Sequence, residues 1–387
     1  MKANPITYCD YAATAPLRPE VRVDMERVET ELYGNPSSIH QPGQAAKVAL
    51  ERARTSIAKI LSAQPEEIIF TSGGTEANNL ALVGVLKPGD HVVTTMIEHP
   101  SVLRPLERLM GWGVEVTSVA PSPSGDIPVS QVAEAIRPDT RLISVMGVNN
   151  ETGVANDLDA LGTLAAERNI LLHTDAVQAF GKLPVHVKHS NIHFLSASAH
   201  KIGGPKGVGL LYARQGIPFD PLHLGGSQEN QHRGGTENVA GIVGFARAAE
   251  LAEEERAELH DRLTQYRQLL LEKMAGEGIP FYVNGADGYP GIINLRFPEI
   301  PGHTLVINLD LENIAASYGS SCASGSARSS HVLLAMGLAT KEAEQSLRIS
   351  FGYGTTEVEV MNVADALIRL VSGAVPADKS ETAVEGA

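Results

Sequence analysis

Strand-like and helix-like stretches alternate along the first half of the chain, and this alternation limits the fold more than any other feature. Short apolar runs such as Glu67–Phe70 (EIIF) alternate with stretches whose apolar residues recur at helical spacing, such as Gly43–Ser62. This pattern favours a mainly parallel sheet with helices on both faces. The further strands that we predict are HVVTT, VEVTSVA, RLISVMGV, ILLHTD and IHFLSAS.

The pattern changes after Thr236, where a long, charge-rich helical region runs from about Gly241 to Gly276. We predict that it bridges to a second unit built from GIINLRF, TLVINLD, LRISFGYG and a last helix, EVEVMNVADALIRLVSG. A chain of 387 residues suits two domains. We expect a large domain at 13–255, a smaller α+β domain made of 1–12 and 256–375, and a disordered polar tail at 376–387.

The composition excludes several classes of protein. A hydrophobic fraction of 43% supplies a sizeable core. The formal net charge of −14, without a cluster of Lys and Arg, argues against direct binding to nucleic acid or to an anionic membrane. We find no secretory signal and no apolar run near the ~20 residues that span a bilayer. Two distant cysteines, Cys9 and Cys322, form no disulfide framework, so we expect a cytoplasmic protein.

Polar residues follow most of the predicted strands. In an open α/β sheet, ligands bind beyond the carboxyl ends of the strands, so we expect these polar groups to converge on one crevice. They lie in the segments Thr71–Thr75, Glu98–His99, Asn149–Glu151, Asp175–Gln178 and Ser198–Lys201.

Each of these signals has an ordinary alternative. The segment TSGGT before a helix suits a phosphate, but it is also a common turn with an N-cap. Lys201 lies among small residues, where a desolvated amine can attack an aldehyde cofactor, although most single lysines are surface residues. Asp175 is suited to pair with a pyridinium nitrogen, to bind a metal or to cap a turn. His186, His189 and His193 lack carboxylate or thiol companions, so we predict no metal site there.

Cys322 lies in a run of Gly, Ser and Ala, ASYGSSCASGSARSS, that extends from Ala316 to Ser330. Such residues bury little apolar surface, and this predicts a mobile loop rather than core. A structural cysteine is usually buried, whereas we expect Cys322 to be presented to solvent, and its role has to be inferred from the rest of the chain.

Ten segments, in one consistent order, resemble the pyridoxal-phosphate-dependent cysteine desulfurases of the class V aminotransferase superfamily. The resemblance runs to about Gly373, and the long Cys322 loop is similar to the long-loop, NifS/IscS-like branch. The matching segments are YCDYAATAP, YGNPSSIH, FTSGGTEANNLA, EHPSV, VNNETG, HTDAVQAFGKLPV, SASAHKIGGPKGVG, RGGTEN, SYGSSCASGS and LRISFGYGTTEVEV.

The resemblance implies the fold-type I architecture, pyridoxal 5'-phosphate as cofactor, and a role for each matching residue. Lys201 would attach the cofactor covalently, Asp175 would pair with its ring nitrogen, and Gln178 would bond its ring oxygen. His99 would stack on the ring and act in acid–base steps. The resemblance also implies phosphate contacts from Gly74, Thr75, Ser198 and His200, a contact from Thr236 to the phosphate in the partner subunit of a homodimer, and substrate contacts from Asn35, Asn150 and Arg348, of which Asn150 also borders the cofactor.

The implied reaction converts L-cysteine to L-alanine and leaves the sulfur on Cys322 as a persulfide. A mobile loop would carry that sulfur to an acceptor protein for iron–sulfur cluster assembly or tRNA thiolation. The resemblance implies no resident metal, although Cys322 would transiently share a cluster with a scaffold partner. Cys9 replaces a residue that is usually apolar, and we interpret it as a small hydrophobe.

Three alternatives remain. Another class V enzyme, such as an aminotransferase, a kynureninase or a selenocysteine lyase, would share the fold and cofactor segments, but transamination needs no loop thiol. A non-catalytic sulfur carrier would be expected to lack Lys201, His99 or Asp175, and all three are present. A nucleotide-binding dehydrogenase is disfavoured because no G-x-G-x-x-G opens a helix after the first strand.

Overall fold

The computed structural model describes residues 6–285, 288–319 and 329–374. Its main feature is a mixed sheet of seven strands within these residues, in the order β2-β8-β7-β6-β5-β3-β4. Four neighbouring pairs are parallel, and β8 is antiparallel to both β2 and β7. The strands are β2 Ile68–Thr71, β3 His91–Thr95, β4 Glu115–Val119, β5 Thr140–Ser144, β6 Leu171–Asp175, β7 Phe194–Ser198 and β8 Gly209–Ala213.

Two smaller sheets complete the strands of the described residues. Strands β12, β10 and β9 form an antiparallel sheet in that order, and β1 pairs in parallel with β11. Their bounds are β1 Thr7–Tyr8, β9 Tyr282–Asn284, β10 Ile292–Arg296, β11 Ile314–Ala315 and β12 Ser346–Ser350.

Helices cover both faces of the seven-stranded sheet. None of the helices in the described residues is long and apolar enough to cross a membrane. The α-helices are α1 Pro19–Glu31, α2 Gln41–Leu61, α3 Gly74–Val85, α4 Pro100–Met110, α5 Val129–Ala135, α6 Leu158–Glu167, α7 Val239–Gly276, α8 Gly302–Leu311, α9 His331–Ala335, α10 Thr340–Glu344 and α11 Glu357–Ala374.

Alternate residues of the central strands enter different hydrophobic clusters. In β3, Val93 belongs to the larger cluster and Val92 to the smaller one, and in β5 the same holds for Ile143 and Leu142. Successive side chains of a strand point to opposite faces, so these strands need apolar residues throughout. The continuous apolar runs in the sequence therefore have a direct structural cause.

The structure confirms the α/β class and the mainly parallel seven-stranded sheet. It adds β8, which the sequence analysis did not include. The segment TLVINLD, which we assigned to the predicted second unit, forms most of helix α8. The long helix α7 continues across residue 255, and the division into domains at that position stays a prediction. The tail at 376–387 lies outside the described residues.

Candidate active site

A cavity of about 210 Å³ lies where the polar strand ends converge. It gathers residues that follow β2, β3, β5, β6 and β7, as expected for the carboxyl edge of such a sheet. The predicted residues that line it are Gly74, Thr75, His99, Asn150, Asp175, Gln178, Ser198, His200, Lys201 and Arg348.

The amino end of α3 forms one wall of this cavity. The first N–H groups of a helix have no partner within the helix, and its dipole favours a negative charge there. A Cβ atom at Gly74 would lie 2.4 Å from Cγ2 of Val177, so a larger residue would displace the opposite wall. Ser198, 4% exposed, places its hydroxyl group near the same turn. This arrangement suits a phosphate group.

His200 borders the same wall. Burial, followed by the charges of Lys201 and Lys182, lowers the pKa of His200 to about 4. Its Nδ1 lies 3.1 Å from Oγ1 of Thr14. The imidazole is therefore neutral at physiological pH and offers one donor and one acceptor.

Asp175 is buried and held from two sides. Its Oδ1 accepts a hydrogen bond from the Val177 N–H at 3.0 Å, and its Oδ2 accepts one from Nδ2 of Asn78 at 2.7 Å. The carboxylate thus stays oriented at the end of β6. A fixed carboxylate in this position is suited to pair with a protonated ring nitrogen.

A chain of hydrogen bonds links Asp175 to His99. The amide nitrogen of Asn78 also donates to Oγ of Ser101 at 2.8 Å, and Oγ of Ser101 lies 2.7 Å from Nδ1 of His99. Burial lowers the pKa of His99, an effect that Asp175 opposes and Lys201 reinforces. His99 is therefore held in one ring orientation as a neutral imidazole next to the cavity.

Lys201 and Gln178 share a backbone acceptor. Nζ of Lys201 donates to the carbonyl oxygens of Ala12 and Ala13, both at 2.7 Å. Nε2 of Gln178 donates to the same Ala12 oxygen at 2.8 Å. The turn that follows β1 therefore orients both side chains at the cavity wall.

Arg348, on β12, is 1% exposed and lines the same cavity. Its guanidinium donates to Oδ1 of Asp10 at 2.7 Å and to the Asn150 carbonyl at 2.8 Å. Its Nε is buried and has no hydrogen-bond partner within the described residues. A buried guanidinium with a remaining donor is suited to bind a carboxylate.

Two predicted residues are not among those that line this cavity, and a third lies outside the described residues. Asn35 is exposed, and its Oδ1 accepts a bond from the Ser37 N–H at 2.9 Å. Thr236 is exposed and lines a different cavity near Phe70. Cys322 lies outside the described residues. The roles predicted for these three stay predictions.

The sequence analysis missed several polar residues at the site. Asn78 lies in the second turn of α3 and Ser101 in the first turn of α4, where polar residues usually serve as surface or capping groups. Asp10 lies just after β1, far along the chain from Arg348. Only Asn78 left a signal, because it stands one turn after the TSGGT segment and on the same helix face as Gly74.

The cavity residues fit pyridoxal 5'-phosphate. The narrow turn at Gly74 suits the phosphate, Asp175 suits the ring nitrogen, and the Lys201 amine suits the aldehyde. Arg348 has a spare buried donor for a substrate carboxylate. The described residues contain no group of three or more His, Cys, Asp or Glu side chains that could hold a metal ion.

Comparisons with known proteins agree with this fit. The family described as "Aminotransferase class-V" matches residues 7–363. The cysteine desulfurase IscS of Dictyoglomus turgidum is 43% identical over 370 residues, which cover 94% of each chain. A solved structure of a NifS-like protein superposes with a TM-score of 0.89 at 34% identity, covering 95% of this chain and 100% of the other.

A second solved structure, SspA in complex with cysteine, has a TM-score of 0.80 at 38% identity and covers 89% of this chain and 98% of the other. These relatives cover 89–95% of this chain, and the family match at residues 7–363 includes all of the cavity residues. The chain therefore belongs to the pyridoxal-phosphate-dependent cysteine desulfurases of the class V aminotransferase family.

Proposed function

We propose that this cysteine desulfurase converts L-cysteine to L-alanine and transfers the sulfur to Cys322, from which it passes to an acceptor protein. The observation that carries the proposal is the meeting of Lys201, Asp175 and Arg348 at one cavity. An amine, a fixed carboxylate and a carboxylate-binding guanidinium are the groups that an amino-acid substrate and an aldehyde cofactor require.

The cofactor, when bound, draws electrons away from the substrate's α-carbon and so weakens its Cβ–S bond. Lys201 would hold the cofactor and later accept or return a proton at Nζ. Asp175 would keep the ring nitrogen protonated, and Asn78 would keep Asp175 oriented. Arg348 would bind the substrate carboxylate, with Asp10 and the Asn150 carbonyl fixing the guanidinium.

The sulfur step needs no outside oxidant. The thiol of Cys322 and L-cysteine give a Cys322 persulfide and L-alanine, so atoms and electrons balance. An S–S bond forms as the Cβ–S bond breaks, and Cβ gains a proton. His99, which is neutral and held by Ser101, is placed to move such a proton at its ring nitrogen.

The matched test uses the chain's two cysteines. Cys322→Ala should keep the cofactor absorbance. It should form neither alanine nor sulfide, because the variant lacks the thiol that accepts the sulfur. Cys9→Ala should retain both products, because Cys9 is buried and does not line the cavity. Alanine and sulfide are measured together, with L-cysteine and a reductant.

Full turnover by Cys322→Ala would refute the sulfur-transfer role of the loop. If the wild-type protein bound the cofactor and formed no alanine, the substrate would be wrong. In that case the selenocysteine lyase and aminotransferase alternatives would be tested next, with selenocysteine and with amino-group acceptors.

The proposal includes a cytoplasmic protein that delivers sulfur either for iron–sulfur cluster assembly or for tRNA thiolation. A thiol that must return to its reduced form suits a reducing compartment. Incubation of the persulfide-loaded protein with a scaffold or a tRNA-thiolating protein, followed by mass measurement of the acceptor, distinguishes the two routes.

The proposal also includes a homodimer in which Thr236 reaches the partner's phosphate site. Exposed large apolar side chains support it, two of them within four residues of Asn35 and one in the segment that precedes Thr236: Tyr33 is 77% exposed, Ile39 95% and Leu224 84%. Exposed apolar groups of this size are typical of surfaces that a partner covers.

A further inference from the structure

Lys182 is a charged residue whose surroundings the reaction proposed above does not explain. It lies seven residues after Asp175 and four after Gln178, and it is only partly exposed. Its Nζ donates a hydrogen bond to Oε1 of Gln178 at 2.5 Å. The nearest aromatic ring is that of Tyr289, whose centroid is 5.4 Å from Nζ.

The environment of this ammonium is unfavourable. Within the described part of the chain Lys182 forms no ion pair, and burial together with the charges of Lys201 and Arg348 lowers its pKa to about 7. Lys182, Lys201 and Arg18 also line a second cavity of about 30 Å³, next to Tyr289. Packing alone would favour an apolar residue here, because burying a cation near other cations costs free energy.

The chemistry of the two side chains gives Lys182 a specific effect on Gln178. In its protonated form the Lys182 amine can only donate hydrogen bonds, so the amide oxygen of Gln178 must face it. The NH₂ group of the amide then faces the other way, where it donates to the Ala12 carbonyl at the cavity wall. Gln178, 3% exposed, is therefore fixed as a donor on the side of the cofactor cavity.

We propose that Lys182 is a positioning residue that fixes the Gln178 amide as a hydrogen-bond donor towards the cofactor's ring oxygen. This inference rests on the proposed function, in which Gln178 bonds that oxygen. A donor at the ring oxygen withdraws electron density from the cofactor. The bound cofactor therefore loses its proton at a lower pH. Polarisation of the amide by the Lys182 ammonium strengthens this effect.

The test is a pH titration of the cofactor's absorbance in the loaded protein. Lys182→Met should move the midpoint upward by about one pH unit, since a charge-assisted hydrogen bond and the fixed amide are both lost. Lys182→Arg, which keeps a cationic donor, should leave the midpoint close to that of the wild type. Lys188→Met, at an exposed lysine on the same segment, should leave the midpoint unchanged.

A double variant separates positioning from a direct effect of charge. In a Gln178→Leu background, Lys182→Met should add almost nothing, because its effect acts through the amide. If the shift were the same in both backgrounds, or if Gln178→Leu itself left the midpoint unchanged, the proposal would be wrong.

Lys182→Gln covers the case in which the Met variant does not fold. The new glutamine side chain can donate or accept a hydrogen bond, so it no longer fixes the orientation of Gln178, and a smaller upward shift of the midpoint is expected. An unchanged midpoint contradicts the proposal.

These measurements use absorbance, whereas the desulfurase proposal is judged by alanine and sulfide. If Lys182→Met shifted the absorbance midpoint but the wild-type protein formed no alanine, the role of Lys182 would be supported and the proposed reaction would be wrong.

Discussion

At the scale of single residues, Glu98, which directly precedes His99, is a carboxyl group buried in the core beside the site. Its side chain is fully buried, and Oε1 accepts bonds from Thr95 Oγ1 at 2.9 Å and from the Met146 N–H at 2.8 Å. Oε2 has no hydrogen-bond partner among the described residues. Burial, with a further contribution from Asp175, raises the pKa of Glu98 to about 8. The carboxyl is therefore protonated in the folded protein at neutral pH.

This proton predicts how stability depends on pH. Folded Glu98 keeps its proton up to about pH 8, whereas the unfolded chain releases it near the ordinary value of 4.5. Between these values the folded state binds more protons, so its stability falls as the pH rises. Relative to Glu98→Gln, the wild type should lose up to about 1.4 kcal/mol of unfolding free energy per pH unit between about pH 5 and about pH 8.

Urea unfolding of both proteins across this range measures the difference. The amide of the Gln variant does not titrate, so its own cost of burial is constant with pH and cancels from the slope. Parallel pH profiles for the two proteins would mean that Glu98 is ionised in the folded state.

The residue scale also shows what the sequence could predict of the site. Lys201, Asp175 and His99 were found because each stands at or just after a strand end, where the topology itself brings polar groups together. Asn78, Ser101 and Lys182 were missed because each lies inside a helix turn or a loop. For Ser101 and Lys182 only the three-dimensional contact distinguishes a site residue from an ordinary polar one, whereas Asn78 could have been found from its helix face shared with Gly74.

At the scale of elements, a buried ion pair joins α2 to the segment that leads to Thr236. Arg54, on α2, donates to both carboxylate oxygens of Glu229 at 2.7 and 2.8 Å, and Glu229 also accepts from the Phe70 N–H at 2.9 Å. The two side chains are 7% and 2% exposed. Glu229 thus ties this segment to β2, which leads directly into the phosphate turn at Gly74.

Loss of one partner should be costly. Glu229→Gln leaves the Arg54 charge buried without its main counterion, and a loss of about 3–5 kcal/mol in unfolding free energy is expected. Glu51→Gln is the matched control: Glu51 contacts the same guanidinium at 3.3 Å but is 48% exposed, so less than about 1 kcal/mol is expected. Similar losses in the two variants, measured by urea unfolding, would show that Glu229 is not the dominant partner.

Elements differ in how well the sequence predicts them. Helix α7 was predicted almost to its ends, because its helical pattern runs on without a break between Val239 and Gly276. Strand β8 was missed, since its five buried residues follow a glycine-rich loop and carry no alternation. The short segment TLVINLD lacks a clear period, so its contacts with β11, β12 and α11 rather than its pattern decide that it is helical.

At the scale of the whole molecule, Asn35 and Thr236 raise the question of how many chains complete one site. Ten predicted residues line the cavity of a single chain, whereas these two are exposed and are not among the residues that line it. A sequence pattern cannot separate the two groups, because residues that act in a partner's site carry the same motifs as those that act in their own. In the homodimer that we propose, Thr236 would contact the phosphate site of the partner subunit, and this makes shared sites testable.

Hybrid dimers made from Lys201→Ala and Thr236→Ala subunits, each with its own affinity tag, provide the test. If Thr236 acts across the interface, one site of the hybrid lacks both residues, but the other combines intact Lys201 with intact Thr236. At a cofactor concentration that leaves the Thr236→Ala homodimer largely empty, the hybrid should therefore show about half of the wild-type turnover, since one of two sites is normal. If Thr236 acted within its own chain, no hybrid site would be complete, and turnover would stay at the level of the parent variants.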